Sequence, residues 1–219
     1  MLLGIYGAGG GGREFFELAR DINCVEKRWK GVFFIDDFPK DKTLRNCPIY
    51  TFEEMVMKYS PNDVEITLAV GQPKDRKYLY DKVTTKGYKL ATLVHPTAVI
   101  MENTVVGSGT VISRNSIISC DTEISENVLI LRMVSMGNNC NIGCHSVISS
   151  LSVVCANASL GSCTYLGAHT CIRENTNIGS NVIISAGSAV LKDVNDDLIV
   201  QGNPARPVLK NTTGEIYKR

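Results

Sequence analysis

From Val94 onward an aliphatic side chain recurs at every sixth residue: Val94, Ile100, Val106, Ile112, Ile118, Ile124, Ile130, Met136, Ile142, Ile148, Val154, Leu160, Leu166, Ile172, Ile178, Ile184 and Val190. This ladder has 17 rungs, no insertion and no polar residue at the ladder position. A period of six fits neither the 3.6-residue turn of an α-helix nor the alternation of a simple strand. It fits a chain that turns a corner every six residues, so that three hexads close one triangular coil of 18 residues. Small side chains such as Thr110, Ser116, Thr122, Cys140, Ser146, Ser152, Ala158 and Thr164 stand two places before a rung, where a tight corner needs them. Glycine follows a rung at Gly107, Gly137, Gly143, Gly161, Gly167 and Gly179, and Asn103, Asn115, Asn127, Asn139, Asn157, Asn175 and Asn181 supply turn conformations. The ladder therefore predicts a solenoid whose rungs point inward, each stacked on the rung one coil later.

The 219 residues leave room for a second, smaller unit before the ladder. A net charge of +1 with mixed-sign charges argues against a nucleic-acid or membrane-surface partner. No apolar run reaches membrane-spanning length, and the N-terminal run reads as a strand and not as a secretory leader. The eight cysteines include no Cys-x-x-Cys pair, which argues against a metal site and for free thiols in a cytoplasmic protein.

Ahead of the ladder, Leu2–Tyr6, Gly31–Ile35, Val64–Val70 and Lys89–Leu93 read as strands. Helices are expected after the glycine run Gly7–Gly12, after the capping box Thr51-Phe52-Glu53-Glu54, and over Lys74–Thr85. Alternating strands and helices imply a small, parallel, Rossmann-like sheet over residues 1–92, with the β-helix unit and a closing segment over 93–219. In such a sheet a glycine loop between strand and helix lets backbone N–H groups reach a phosphate. Acidic residues at the end of the second strand can hydrogen-bond a ribose or a base. Gly9, Gly10, Gly11, Gly12, Asp36, Asp37, Gly71 and Gln72 should line one crevice as its substrate-binding residues.

With the glycine loop, Ile35-Asp36-Asp37, the Val94-His95-Pro96 junction and the unbroken hexads, the chain resembles the bacterial sugar acyltransferases. These join a nucleotide-sugar-binding domain to a left-handed parallel β-helix of hexapeptide repeats, and include N-acetyltransferases of nucleotide-linked amino sugars and sialic acid O-acetyltransferases. The resemblance implies a homotrimer, with acetyl-CoA as cosubstrate in a groove between two β-helices. It also implies that Gly202-Asn203-Pro204-Ala205-Arg206 closes the end of the helix near the coenzyme, which brings in Pro204 and Arg206. Gly143, Gly161, Gly167, Gly179 and Arg173 are the other candidate coenzyme contacts.

The family places a catalytic histidine in a Glu-His-Asp segment before an Ile-Gly corner. The rungs Met136 and Ile142 set the register, and Asn138 stands at that position. Asparagine cannot act as a base, whereas an amine attacks as its own free base and an alcohol needs its proton removed. The expected activity is thus acetyl-CoA-dependent N-acetylation of a UDP- or dTDP-linked amino sugar for bacterial surface glycans. Two alternatives stay open: sugar O-acetylation with His145 or His169 as base, and a silent homologue that only binds the nucleotide sugar. His145 and His169 each lie three residues after a rung, which predicts an outer surface near a corner. His95 is expected to be structural.

Overall fold

The computed structural model describes residues 1–216 of the chain. Its N-terminal part holds β1 (Leu2–Tyr6), α1 (Gly10–Glu26), β2 (Val32–Ile35), β3 (Thr43–Leu44), β4 (Cys47–Tyr50), α2 (Phe52–Lys58), β5 (Val64–Leu68), α3 (Pro73–Thr85) and β6 (Lys89–Leu90). The sheet order is β3-β4-β2-β1-β5-β6, parallel except for the antiparallel hairpin β3–β4. That hairpin is absent from the sequence expectation, and the last expected strand is shorter than Lys89–Leu93, because Leu93–Val94 already belongs to the solenoid. The expected capping box forms: Thr51 Oγ1 accepts from Glu54 N–H and Glu54 Oε2 accepts from Thr51 N–H. Alternation along β1 sends Leu3 and Ile5 toward α1, while Tyr6 packs with Phe52, Met55 and Leu79 on the α2 and α3 side.

Every rung becomes part of a two-residue strand, and from Val94 through Ile172 each pairs in parallel with the strand 18 residues later, as Ile112 does with Ile130 and Ile130 with Ile148. The result is a three-sided left-handed β-helix. Its first face carries the rungs Val94, Ile112, Ile130, Ile148, Leu166 and Ile184, its second Ile100 to Val190, and its third Val106 to Ile178. The rungs fill the interior as one continuous core. The residue three places after a rung adopts the left-handed backbone conformation at most corners, with φ between 55° and 64° from Asn103 through Asn181 wherever it is not glycine. Asn, Asp and His tolerate that conformation best among residues bearing a Cβ, which explains the asparagines of the repeat. The small hydroxyls at the corners do more than fit. Thr110 Oγ1 donates to Ser125 O and accepts from Val128 N–H, and Ser116, Ser146 and Thr164 repeat the pattern on later coils.

The N-terminal part lies along the side of the prism, not on its end. Outward residues of the first face, Leu93, Val111, Leu129 and Val147, are buried against Phe15, Leu18, Ala19 and Ile22 of α1, with Tyr165 packed at the edge. Ion pairs from α1 follow the corner between the first and second faces, Asp21 to Arg114 and Glu14 to Arg132. His95 is buried there; its Nδ1 accepts from Thr97 N–H and its Nε2 meets Asp21 Oδ2 at 3.2 Å. Arg114, and then His95, hold the Asp21 carboxyl below the usual carboxylate range. On the other side α3 follows the corner between the third and first faces. The last coil leads into a hairpin of Leu198–Gly202 and Ala205–Lys210, which extends the first face and turns at a cis Asn203–Pro204 bond.

Candidate active site

The strand ends of the sheet place the glycine loop, Asp36–Asp37 and Gly71–Gln72 on one edge, as expected for parallel strands. The glycines divide into two kinds. A Cβ on Gly11 would lie 2.7 Å from Ala69 O, and one on Gly12 would overlap Gly7 O, so the chain itself demands glycine at both. At Gly9 and Gly71 nothing stands within 4 Å of a built Cβ, and at Gly10 only the end of Arg13 does. Gly9, Gly10 and Gly71 are exposed, which leaves open space where a ligand backbone could approach. Helix α1 begins at Gly10 with no side-chain cap on its first N–H groups.

The two acidic residues have different jobs. Asp36 bridges two loops, Oδ2 accepting from Ala8 N–H at 3.1 Å and Oδ1 from Phe38 N–H at 3.0 Å. Asp37 is half-buried and fully engaged by the protein: Oδ2 accepts from Tyr6 Oη–H and Lys82 Nζ, both at 2.6 Å, and Oδ1 from Phe52 N–H. Burial opposes its charge, but Lys82, Tyr6 and the Phe52 amide prevail and hold its carboxyl below the usual range. Burial first, and then Asp37, push the Tyr6 phenol well above its ordinary value. Phe38, which sequence reasoning passed over, stands 89 % exposed on this edge. Its place just before Pro39 restricts its backbone to extended conformations.

The three candidate catalytic residues sit on three different corners of the prism. Asn138 lies between the second and third faces, half-buried, and His169 between the first and second, exposed. His145 lies between the third and first faces, and here the surface expectation fails: it is 6 % exposed, covered by α3. Its ring packs edge-on to Tyr80 at 5.0 Å, and its Nδ1 accepts from Asn127 Nδ2 at 2.9 Å. Sequence periodicity identifies the corner but not the helix that covers it. Burial first, and then the charge of Lys77, push the His145 imidazole below its ordinary range. Unfolding restores the ordinary value, so the stability that neutral His145 contributes is complete above about pH 6.5 and is lost as pH falls through the lower folded value. Wild type should therefore lose more melting temperature between about pH 7 and pH 5 than His145→Asn, a variant that keeps the corner conformation. Equal pH dependence in the two proteins would contradict this account.

The same corner holds a charge that the sequence did not reveal. Arg76 of α3 is fully buried, and among the described residues no carboxylate pairs with it. Its Nε donates to Asn127 O, Nη1 to Leu68 O and Val70 O, and Nη2 to Asn127 Oδ1 at 2.6 Å. Asn127 Nδ2 in turn donates to Arg76 O. Burial pushes the guanidinium down to about 9, which still leaves it cationic at neutral pH.

Among the candidate coenzyme contacts, Gly143, Gly161, Gly167 and Gly179 are corner residues whose built Cβ atoms would collide with the backbone of the next coil, Gly143 with Ser162 N at 2.5 Å. Stacking alone accounts for these glycines. Arg173 is exposed beyond the second face, while Pro204 and Arg206 are exposed in the terminal hairpin. Arg206 Nη1 donates to Ala205 O.

Residues 3–83 match the PglD N-terminal domain family. The chain is also similar to the acetyltransferase domain of PglB from Neisseria gonorrhoeae, with a TM-score of 0.88 and 26 % identity over 94 % of this chain and 99 % of that one. The same domain has been solved in complex with acetyl coenzyme A. At 22 % identity, which speaks for the fold alone, it resembles a histidine-to-asparagine mutant of perosamine N-acetyltransferase from Caulobacter crescentus, solved with CoA and GDP-perosamine (TM-score 0.89, 96 % of this chain and 98 % of that one). WeeI from Acinetobacter baumannii is similar at the same level, with a TM-score of 0.87 over 95 % of this chain and 100 % of that one. In its N-terminal residues the chain thus matches the PglD-type domain, and over nearly its whole length its architecture is similar to that of an acetyltransferase domain.

Proposed function

We propose that the protein is an acetyl-CoA-dependent N-acetyltransferase of a nucleotide-linked amino sugar, in a route to bacterial surface glycans. The observation that carries this reading is the likeness, over 94 % of the chain, to an acetyltransferase domain solved with acetyl coenzyme A. Two features agree with it: the strand-end crevice with open space at Gly9, Gly10 and Gly71, and a corner residue, Asn138, that can hydrogen-bond but cannot take a proton. Acetyl-CoA supplies an acetyl group already activated as a thioester. The chain's own part is to hold the nucleotide by the glycine loop, to orient the amine, and to offer the Asn138 amide N–H to the thioester oxygen as it gains negative charge. The amine attacks as its free base, and its proton leaves with the thiolate or to water. Tested with UDP-, dTDP- and GDP-linked amino sugars, the protein should release CoA with at least one, and not with the corresponding hydroxy sugars. Turnover of hydroxy sugars alone would favour O-transfer, and no turnover with any of them would favour a silent binding protein.

The site also calls for more than one subunit. The N-terminal part covers the first face, whereas Asn138 stands on the corner opposite that face. The second face presents an apolar stripe at Val99, Ile117 and Val153, which are 48 %, 45 % and 39 % exposed. We read this stripe as the subunit contact of a homotrimer that brings one subunit's corner to another's crevice. Light scattering should give about three times the 23.9 kDa chain mass, and Ile117→Lys with Val153→Lys should dissociate the assembly and abolish turnover. A monomeric wild type that turns over would refute the shared site. Use of acetyl-CoA and a nucleotide sugar supports a cytoplasmic reading, and no helix among the described residues is long and apolar enough to cross a membrane.

The two ligands separate by mutation. Gly10→Val fills space that the chain leaves open. It should weaken binding of the nucleotide sugar by about tenfold or more while acetyl-CoA affinity stays nearly unchanged. Equal loss of both would mean the two sites are not on separate units.

A further inference from the structure

The chain continues past the closing hairpin, and residues 211–216 return to the N-terminal part. Asn211, 3 % exposed, is the joint. Its N–H donates to Asp197 O and its Nδ2 to Asn181 O, while its own carbonyl accepts from Asn181 Nδ2. Its Oδ1 accepts from Gly214 N–H, tightening the turn, and Gly214 itself sits at φ +68° against the methylenes of Lys74. From there Glu215 Oε1 lies 3.9 Å from Lys74 Nζ, and Ile216 N–H donates to Gln72 Oε1 at 3.3 Å. Between this strap and α3 lies a cleft of about 470 Å³ walled by Lys74, Lys77, Tyr78, Asn181 and Thr213. The strap thus ties the last coil of the prism to the first turn of α3, next to Gly71, where the backbone faces open space.

Gln72 is the N-cap residue of α3, yet its side chain makes no bond to its own helix. N-cap side chains ordinarily turn back onto the first N–H groups of the helix. Here the strap takes the carboxamide oxygen. A carboxamide with its oxygen engaged has its NH2 left as the donor, and fixing one end fixes the direction of the other. We infer that the C-terminal strap positions Gln72 so that its NH2 donates to an acceptor oxygen of the nucleotide sugar, a phosphate or a base carbonyl. Ile216 is then a positioning residue that acts through Gln72, pre-organising a contact that a free side chain would have to order on binding. The inference rests on the reading of the strand-end crevice as the nucleotide-sugar site.

The test uses the full-length protein, with UDP, dTDP and GDP as calorimetric probes and the accepted amino-sugar nucleotide as substrate. Ile216→Pro deletes the one N–H. It should weaken binding of the preferred nucleotide, or raise the KM of its amino sugar, by about threefold to tenfold, the scale of one hydrogen bond. The kcat, the KM for acetyl-CoA and the melting temperature should stay as in wild type, which a merely structural strap would not ensure. In a Gln72→Ala background the same substitution should add nothing, because its effect passes through Gln72. No effect of Ile216→Pro, or an equal effect in both backgrounds, overturns the proposal. Loss of affinity in Gln72→Ala but not in Ile216→Pro would leave the crevice standing and remove the strap from it. If none of the three nucleotides binds wild type, the crevice reading itself falls, and the strap's role with it.

Discussion

Arg76→Met is expected to lower the melting temperature by about 8–16 °C, the largest effect foreseen for any single side chain of this protein. The substitution keeps most of the aliphatic stem but removes every donor. It strands Leu68 O, Val70 O and both oxygens of Asn127, acceptors that lie between α3 and the prism. A buried acceptor left without a donor costs about 1–3 kcal/mol, so two such groups already amount to about 4 kcal/mol. For a chain of this size each kcal/mol moves the midpoint by about 2–4 °C. Arg76→Lys should recover only part of the loss, since one ammonium cannot reach acceptors spread over a planar fork. The measurement is calorimetry at neutral pH. A change of less than about 2 °C in Arg76→Met would show that the network contributes specificity without stability.

The second large expectation concerns proton transfer. If the amine attacks as its free base, kcat/KM should rise with pH along the amine's own titration and no enzyme group should shape that limb. Asn138→Ala should cost about 10-fold to 100-fold, the range of one hydrogen bond to a group that gains charge. His145 is buried with Nδ1 engaged by Asn127, so His145→Asn should cost little in turnover. His169→Ala should also cost little, since that side chain stands exposed on a corner away from Asn138. A fall of about 10³ in either histidine variant, with fold and assembly intact, would identify a general base elsewhere and return O-transfer to first place.

What could be read from the chain beforehand follows from how each feature is encoded. The solenoid was legible because a six-residue period repeated this often has no competing interpretation, and because each asparagine of the repeat marks the same left-handed corner. Features set by contacts between distant segments were not. Arg76 looks like one more solvated charge in Lys74-Asp75-Arg76-Lys77, and Asn127 like one more turn asparagine, until α3 is laid on that corner. Burial of His145 escaped for the same reason. The β3–β4 hairpin was hidden by its short strands and by Pro48, which weakens any strand pattern read from sequence. In the crevice, the acidic pair read as two equivalent ligands, but only Asp36 faces the glycine loop, because Lys82 reaches across from α3 to claim Asp37.

The N-terminal part runs alongside the prism, and this changes how the whole chain comes apart. A stack of identical coils unravels from its ends, since each coil touches only its neighbours. Here α1 and α3 act as splints fastened to successive coils at Leu93, Val111, Leu129 and Val147, with Arg76 pinned at Asn127 and the C-terminal residues tied back to Lys74. Peeling one coil away means detaching the splint as well, so fraying gives way to a single cooperative melt. Amide exchange should then be slow along the splinted first face, where coils and splint open together.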